Sequence, residues 1–184
     1  NGCVEGTPEN CQQLMQAKEH ILVYPGGGRE VMKNKDELYQ LVWKQRTGFA
    51  RMAMQNGYDI IPFAAVGADD AYTIQYDTND FYQSKVGKWL QKTGISDKYL
   101  RGGDAFVPLA TGLGFLPRPE KFYFAFGERI STAAIQQQSD DKDLQWQVRE
   151  QVETSIYQMM NDLFARRAED EAQWPTWRKK LIKR

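Results

Sequence analysis

Three short apolar runs alternate with longer segments of helical spacing, and this alternation constrains the fold more than any other feature of the sequence. The runs are residues 20–24 (HILVY), 59–67 (DIIPFAAVG) and 121–130 (KFYFAFGERI). The first two runs are typical of strands buried on both faces of a parallel sheet, and the third is predicted to be a strand with aromatic residues at alternate positions 122, 124 and 126. Pro62 indicates an edge or a bulge in the second run. We therefore predict an α/β domain with a central, mostly parallel sheet flanked by helices.

The segments on either side of the first apolar run carry helix signals. Thr7 is a good N-cap, and Pro8 suits the first helical position. Residues 35–57 place apolar side chains at rough helical spacing and end in an Asn-Gly pair, which is a stop signal. Gly48 indicates a break that would divide this segment into two helices.

Two later segments are also predicted to be helical. Residues 78–94 show a weaker helical pattern. Further on, apolar residues recur at three- and four-residue steps, which predicts an amphipathic helix of about 25 residues. These residues are Leu144, Val148, Val152, Ile156, Met159, Met160 and Leu163.

Size and charge place the chain among globular proteins. Its 184 residues suffice for one domain with a core, which we place at residues 1–173, followed by a basic, Trp-flanked tail at residues 174–184. The 24 Lys and Arg residues balance the 24 Asp and Glu residues, so there is no net field to attract nucleic acid. Cys3 and Cys11 lack the partners of a zinc site or a disulfide scaffold. We therefore predict a reduced, intracellular protein.

The stretch PGGGRE, residues 25–30, follows the first apolar run and is the strongest candidate for a binding loop. In open α/β sheets, ligands bind at the carboxyl ends of strands. Glycines let backbone N–H groups approach a ligand closely, and Arg29 offers donors for phosphate or carboxylate. The alternative is a tight loop in which Arg29 and Glu30 pair in solvent. Because neither G-x-G-x-x-G nor G-x-x-x-x-G-K-[ST] is present, a nucleotide-binding domain has little support.

Four blocks of the sequence, taken in order, resemble a known enzyme family. The blocks are GTPENCQQLM, ILVYPGGGRE, DIIPFAAVGADDAY and LPRPEKFYFAFGERIST. They are similar to the glycerolipid acyltransferase superfamily, in the branch of diacylglycerol acyltransferase-like enzymes and plant phytyl ester synthases. The resemblance covers most of residues 1–132. It implies a glycerolipid acyltransferase-like fold, and transfer of an acyl group from acyl-CoA or a similar thioester to a hydroxyl.

The resemblance also assigns an acceptor-binding loop to this chain. The family's common glutamate stands where this chain has Gly27, which resembles the branch that uses neutral acceptors such as diacylglycerol or long-chain alcohols. Residues 61, 62 and 66–70 match the next family block, a strand and loop near the site. No cofactor is implied beyond the thioester co-substrate. The implied acceptor-binding residues are Pro25, Gly26, Gly27, Gly28, Arg29 and Glu30.

The general base that the resemblance implies, a histidine in an H-x-x-x-x-D motif, has no counterpart in this sequence. The only histidine is His20, and the position five residues later is Pro25. We expect the motif upstream of Asn1, so that the chain is the C-terminal part of an acyltransferase; the alternative is a non-catalytic lipid- or anion-binding module. The acids around Asp69 and Asp70 do not have EF-hand spacing, and we interpret them as solvated loop residues rather than as a metal site.

A lipid substrate has to be reached at a membrane surface, and two stretches are candidates for that contact. Residues 102–119 combine large apolar side chains with prolines and glycines, and the tail at 174–184 joins two Trp residues to five cations. Aromatic and basic side chains together favour an anionic interface. We therefore expect peripheral membrane association, against the alternatives of a packed loop and a solvated terminus.

Overall fold

The computed structural model describes residues 2–31, 33–93, 108–114 and 116–182 and contains both helices and strands. The first helix begins at a capping residue: the Thr7 hydroxyl accepts a hydrogen bond from the Asn10 N–H at 3.2 Å. The helices are α1 (Pro8–Gln16), α2 (Gly28–Val31), α3 (Gly48–Asn56), α4 (Thr78–Gln83), α5 (Lys85–Lys92), α6 (Lys142–Ala172) and α7 (Thr176–Leu181), with 3₁₀ turns at Lys35–Glu37 and Ala133–Gln138.

The strands form two small sheets instead of one central sheet. They are β1 (Phe63–Val66), β2 (Thr73–Tyr76), β3 (Leu109–Thr111) and β4 (Tyr123–Phe126). β1 pairs with β4, and β2 pairs antiparallel with β3. The bridge between Ile60 and Ile130 beside the first sheet is also antiparallel. The mixture of helices and strands was expected, but the described part of the chain does not show the predicted central parallel sheet.

The predicted strand at residues 20–24 is wrong. These residues have no regular secondary structure, and the side chains of Leu22, Val23 and Tyr24 are exposed. A strand needs a hydrogen-bonded neighbour and a second layer against which to bury its apolar side chains. Among the residues that the structure describes, no strand pairs with this run, so the apolar sequence alone does not make it a strand.

The helix predictions are confirmed where local signals were strong. α3 begins at Gly48 and ends at Gly57, which has a left-handed φ of +64°. The first half of the predicted segment, residues 35–47, forms only a 3₁₀ turn, and residues 78–94 form two short helices, α4 and α5. The long helix α6 contains the whole predicted apolar pattern and extends beyond it.

The chain divides into two compact units. The first comprises Asn1–Pro25, Trp43–Ala64 and Phe124–Leu163. Its core joins α3 to the first half of α6 through Ala50, Met54 and Val148. Gln145 is fully buried in this unit, with its Oε1 accepting a hydrogen bond from the Thr47 hydroxyl at 3.0 Å. A buried amide of this kind is tolerated because its polar atoms have partners.

The second unit comprises Gly26–Val42, Ala65–Tyr123 and Phe164–Arg184. It contains the β2–β3 pair, α4, α5, α7 and the C-terminal end of α6. Most of the glycine loop also belongs to this unit. Within the described ranges, no helix has both the length and the apolar character needed to cross a membrane.

Candidate functional site

The glycine loop, residues 25–30, is a tight turn that leads into α2. Gly27 has φ of +60°, a left-handed conformation that glycine adopts without strain. The Glu30 N–H closes the turn by donating to the Gly27 carbonyl at 3.1 Å. Gly26 is buried, whereas Gly27 and Gly28 are exposed. The backbone at the second and third glycines is therefore accessible from solvent.

Glu30 folds back over Gly26 and explains why the loop needs a glycine there. An ideal Cβ on Gly26 would lie 2.1 Å from Glu30 Cγ, closer than any side chain tolerates. The Glu30 carboxylate accepts a hydrogen bond from the Val42 N–H at 2.9 Å. The three glycines indicated that something comes close to the loop backbone. At Gly26, that group is the side chain of Glu30.

The remaining loop residues have separate surroundings. The Pro25 carbonyl accepts a hydrogen bond from the Arg46 guanidinium at 3.0 Å within the first unit. Arg29 lies in α2, but its side chain falls outside the described residues. We considered a loop in which Arg29 and Glu30 pair in solvent. Glu30 does not fit that alternative, because it is half-buried and its carboxylate accepts a hydrogen bond from the Val42 N–H.

A second cluster, which we call the Tyr39 cluster, forms around the loop after β1. It consists of Tyr39, Asp69, Asp70 and Arg167. Tyr39 has φ of +58°, unusual for a bulky residue. Its hydroxyl donates to Asp70 Oδ2 at 2.5 Å and accepts from the Gly67 N–H at 3.0 Å. Its own N–H donates to Asp69 Oδ2 at 2.7 Å, so the phenol and the backbone of one residue hold both acids.

Arg167 completes the Tyr39 cluster from the end of α6. Its Nη1 lies 2.6 Å from Asp70 Oδ2, and its Nε donates to Glu171 Oε1 at 2.9 Å. Burial lowers the pKa of this guanidinium, but the hydrogen bonds that it donates to Glu171 and Asp70 outweigh this effect and raise the pKa above its ordinary value. Arg167 therefore carries a permanent positive charge between two carboxylates.

Asp69 and Asp70 are not the solvated acids that we expected. Their side chains are only 21% and 17% exposed, and Asp69 also pairs with the Lys33 ammonium at 2.9 Å. Among the residues described, no cluster of His, Cys, Asp or Glu is arranged to hold a metal ion. The acids of this loop instead fix the backbone of the family block at residues 66–70.

A cavity of about 290 Å³ opens beside the Tyr39 cluster. Burial, together with the hydrogen bond to Asp70, raises the pKa of the Tyr39 phenol well above its ordinary value, so this phenol stays protonated at neutral pH. The Tyr39 hydroxyl, whose proton is donated to Asp70, is therefore not a strong base at this cavity. The described lining does not include the glycine loop; it consists of Tyr39, Asp70, Phe164, Arg167, Ala168 and Glu171.

Sequence reasoning missed the Tyr39 cluster, although one signal was present. The buried positions of α6 recur at Ile156, Met160 and Leu163, and the next position in that series is Arg167. A charged residue at a core-facing position predicts a buried ion pair. Nothing comparable marks Tyr39, whose left-handed backbone is fixed by contacts distant in the sequence.

Comparison with known proteins supports the family that the four sequence blocks resemble. The model of the family described as "Diacylglycerol acyltransferase" matches residues 1–169. The chain belongs to the diacylglycerol acyltransferase family. The matched range includes the glycine loop, the Tyr39 cluster and almost all of α6.

The relatives of this family member include plant enzymes of the expected branch. The chain is 33% identical over 171 residues to "Phytyl ester synthase 2, chloroplastic" of Arabidopsis thaliana, which covers 88% of the chain and 24% of the relative. It is 31% identical over 177 residues to "Phytyl ester synthase 1, chloroplastic" of the same plant, covering 92% and 25%. "Diacylglycerol O-acyltransferase 1" of Eremothecium gossypii is 25% identical over 93 residues, covering 50% and 20%.

The chain spans about a quarter of the length of the two plant relatives that it matches. No solved structure matches it. His20 is the single histidine of the sequence, and Pro25 stands five residues later, where an H-x-x-x-x-D motif would have its aspartate. His20 itself is exposed on the irregular segment before the glycine loop.

Tyr123 gives this family member a pH-dependent contribution to stability. Burial, with the hydrogen bond from its hydroxyl to Asp170 at 2.9 Å, raises the pKa of Tyr123 to about 12. An unfolded tyrosine has a pKa of about 10, so between these values the unfolded state loses its proton first. The contribution is fully present below pH about 10 and is lost as the pH rises to about 12.

We expect the unfolding free energy to fall over this alkaline range, and to fall less in Tyr123→Phe. Urea unfolding of both proteins between pH about 9 and about 12 measures this. The stability difference between wild type and variant should shrink as the pH rises. A difference that stays constant across the range would contradict the raised pKa of Tyr123.

Proposed function

We propose that this chain forms the acceptor-binding part of a lipid O-acyltransferase. In the proposed reaction, the hydroxyl oxygen of a neutral lipid alcohol, such as diacylglycerol, bonds to the acyl carbonyl of acyl-CoA or a similar thioester. The carbon–sulfur bond breaks, the thiolate leaves, and a general base takes the hydroxyl proton. The observation that carries this proposal is the family match over residues 1–169, which contains the glycine loop in collinear order.

The geometry of the glycine loop supports its assignment to the acceptor. Glu30 fixes the turn from inside, through Gly26 and Val42, while the backbone at Gly27 and Gly28 is exposed. A turn that is rigid and accessible can present backbone N–H groups to a glycerol or alcohol oxygen with little loss of entropy on binding. We assign the acceptor contact to residues 25–30 and no catalytic base to this chain.

The acceptor in this proposal is uncharged. The loop carries Gly27 where the family pattern that the sequence resembles has a glutamate, and the plant relatives are named for phytyl esters. The product of the complete reading frame should therefore transfer labelled acyl groups from acyl-CoA to diacylglycerol or to a long-chain alcohol, and not to glycerol 3-phosphate. No transfer to any of the three acceptors would reject the enzymatic proposal.

Arg29→Ala tests ligand binding by the glycine loop, and acyl transfer separates this proposal from the alternative of a non-catalytic module. We expect a short-chain diacylglycerol to raise the thermal midpoint of the chain, and Arg29→Ala to abolish at least half of that shift. Arg166→Ala is the matched control, because Arg166 is exposed on α6. Stabilisation without any acyl transfer by the complete product would favour the module, and equal shifts in all three proteins would reject a ligand role for Arg29.

Peripheral membrane contact is also part of the proposed function. Leu109 and Leu116 expose 65% and 70% of their surface, whereas Phe106 and Phe115 of the same stretch lie outside the described residues. In the tail, Trp177 is 64% exposed, and the Arg178 guanidinium lies 4.4 Å from the Trp174 ring centroid. Ile182 is buried, so the described tail is a short packed helix with one exposed Trp.

A further inference from the structure

The helix α5 presents an exposed apolar and basic face that no sequence motif identified. Its sequence is KVGKWLQK. Val86 and Trp89 expose 61% and 59% of their surface. Large apolar side chains at this exposure, three residues apart on one helix, form a continuous surface rather than isolated exceptions.

Packing against α4 fixes which face of α5 points outward. Gly87 is buried, and a Cβ built on it would lie 2.1 Å from the Phe81 carbonyl oxygen and 2.7 Å from Tyr82 Cα. The Gly87 N–H donates to the Ser84 hydroxyl at 3.1 Å. At roughly 100° per residue, Trp89 lies about 160° around the helix from Gly87. The side pressed against α4 is therefore opposite the side that carries Trp89.

The outward face is also strongly basic. Lys85, Lys88 and Lys92 are all exposed, and α5 contains no acidic residue. Lys85 and Lys92 stand one turn to either side of Trp89 on the same face, because residues three and four apart are neighbours on a helix. Trp89 supplies an apolar group suited to a membrane interface, and the lysines around it supply positive charge.

We propose that α5 is a docking surface for an anionic lipid membrane. A short helix with Trp on its apolar side and Lys around it lies in the plane of the headgroups, where the ring enters the interface and the ammonium groups contact lipid phosphates. An exposed Val beside the Trp fits the acyl boundary better than it fits a nucleic acid or an acidic protein. The chain as a whole has no net charge, so attraction to polyanions would have to come from local basic faces such as this one.

This inference deepens the proposed function and rests on it, because a lipid acyltransferase has to reach its substrate at a membrane. Vesicle binding is measured without acyl transfer, however, so the two proposals fail separately. If the protein is inactive but binds vesicles through α5, the docking surface is supported and the enzymatic proposal is rejected. If the protein is active but does not bind vesicles, the enzymatic proposal is supported and the docking surface is rejected.

The experiment is sedimentation of the chain with vesicles of phosphatidylcholine alone and of phosphatidylcholine with phosphatidylserine. We expect binding only to the anionic vesicles, and loss of binding when the salt concentration rises from about 0.02 M to about 0.5 M. Lys85→Gln/Lys88→Gln should weaken the partition constant about 25-fold, at about fivefold for each lysine. Trp89→Ala should weaken it about tenfold.

Matched variants keep the result specific to α5. Lys18→Gln/Lys142→Gln removes the same charge from exposed positions in the other unit and should bind like wild type. Trp177→Ala tests the tail in the same assay. Circular dichroism should show all variants folded, since every substituted residue is exposed. Equal binding of the two lysine variants, full binding of Trp89→Ala, or salt-sensitive binding to acidic protein or RNA but not to vesicles would each overturn the proposal.

Discussion

Arg167→Ala should lower the free energy of unfolding by about 3 kcal/mol, the lower end of the cost of breaking a buried ion pair, because it leaves the partly buried Asp70 and Glu171 carboxylates without their cation. The Arg167 side chain is only 7% exposed and lies 2.6 Å from Asp70 and 2.9 Å from Glu171. Its Nη1 also donates to the Tyr39 hydroxyl at 3.1 Å. Removing it leaves negative charge beside a phenol that the cluster holds protonated. The thermal midpoint should fall by about 10 °C.

Two further variants make this prediction specific. Arg166→Ala removes the same side chain from an exposed position one residue away and should change stability by less than about 0.5 kcal/mol. In a double-mutant cycle, Asp70→Asn should recover part of the loss in Arg167→Ala, because it removes the charge that the arginine neutralises. Equal effects of the two arginine variants would show that the Tyr39 cluster does not contribute to stability.

Helices with strong local signals were predictable from the sequence, since those signals act within a few residues. Thr7 caps α1, Gly57 ends α3, and the apolar pattern from Leu144 to Leu163 lies within α6. Strands were predictable only in part. β1 and β4 lie inside predicted runs, but residues 20–24 have the composition of a strand without a partner. Strand formation depends on a neighbour that is distant in sequence, and local composition does not report it.

In the candidate site, too, the part marked by neighbouring residues was predictable and the part formed by residues distant in the sequence was not. The glycine loop was found because three consecutive glycines are a local signal of close approach, yet what approaches Gly26 is Glu30, four residues on. The Tyr39 cluster joins residues 39, 70 and 167. Arg167 at a core-facing position of α6 was its one sequence signal, and no short motif joins that residue to the others. The prediction that Asp69 and Asp70 are solvated was wrong because their partners lie elsewhere in the chain.

Gly26→Ala should disable the glycine loop in both its structural and its proposed binding role. The new methyl would stand 2.1 Å from Glu30 Cγ and would force Glu30 off the Val42 N–H. We expect a loss of about 1–3 kcal/mol in stability, from overpacking and an unsatisfied N–H. Gly48→Ala is the matched control, since nothing lies within 4 Å of a Cβ at that position, and an alanine at a helix start is well tolerated.

The functional half of this prediction concerns the acceptor and not the donor. In the complete enzyme, a displaced loop should raise KM for the lipid alcohol at least tenfold and leave KM for the thioester unchanged, because only the acceptor contacts residues 25–30 in the proposed mechanism. Glu30→Gln should be much milder, since an amide oxygen can still accept from Val42 and the side chain keeps its length. A stability loss without any change in acceptor KM would mean that the glycines serve the fold alone, and the acceptor would then have to be sought elsewhere, with the cavity beside Tyr39 and Arg167 as the next candidate.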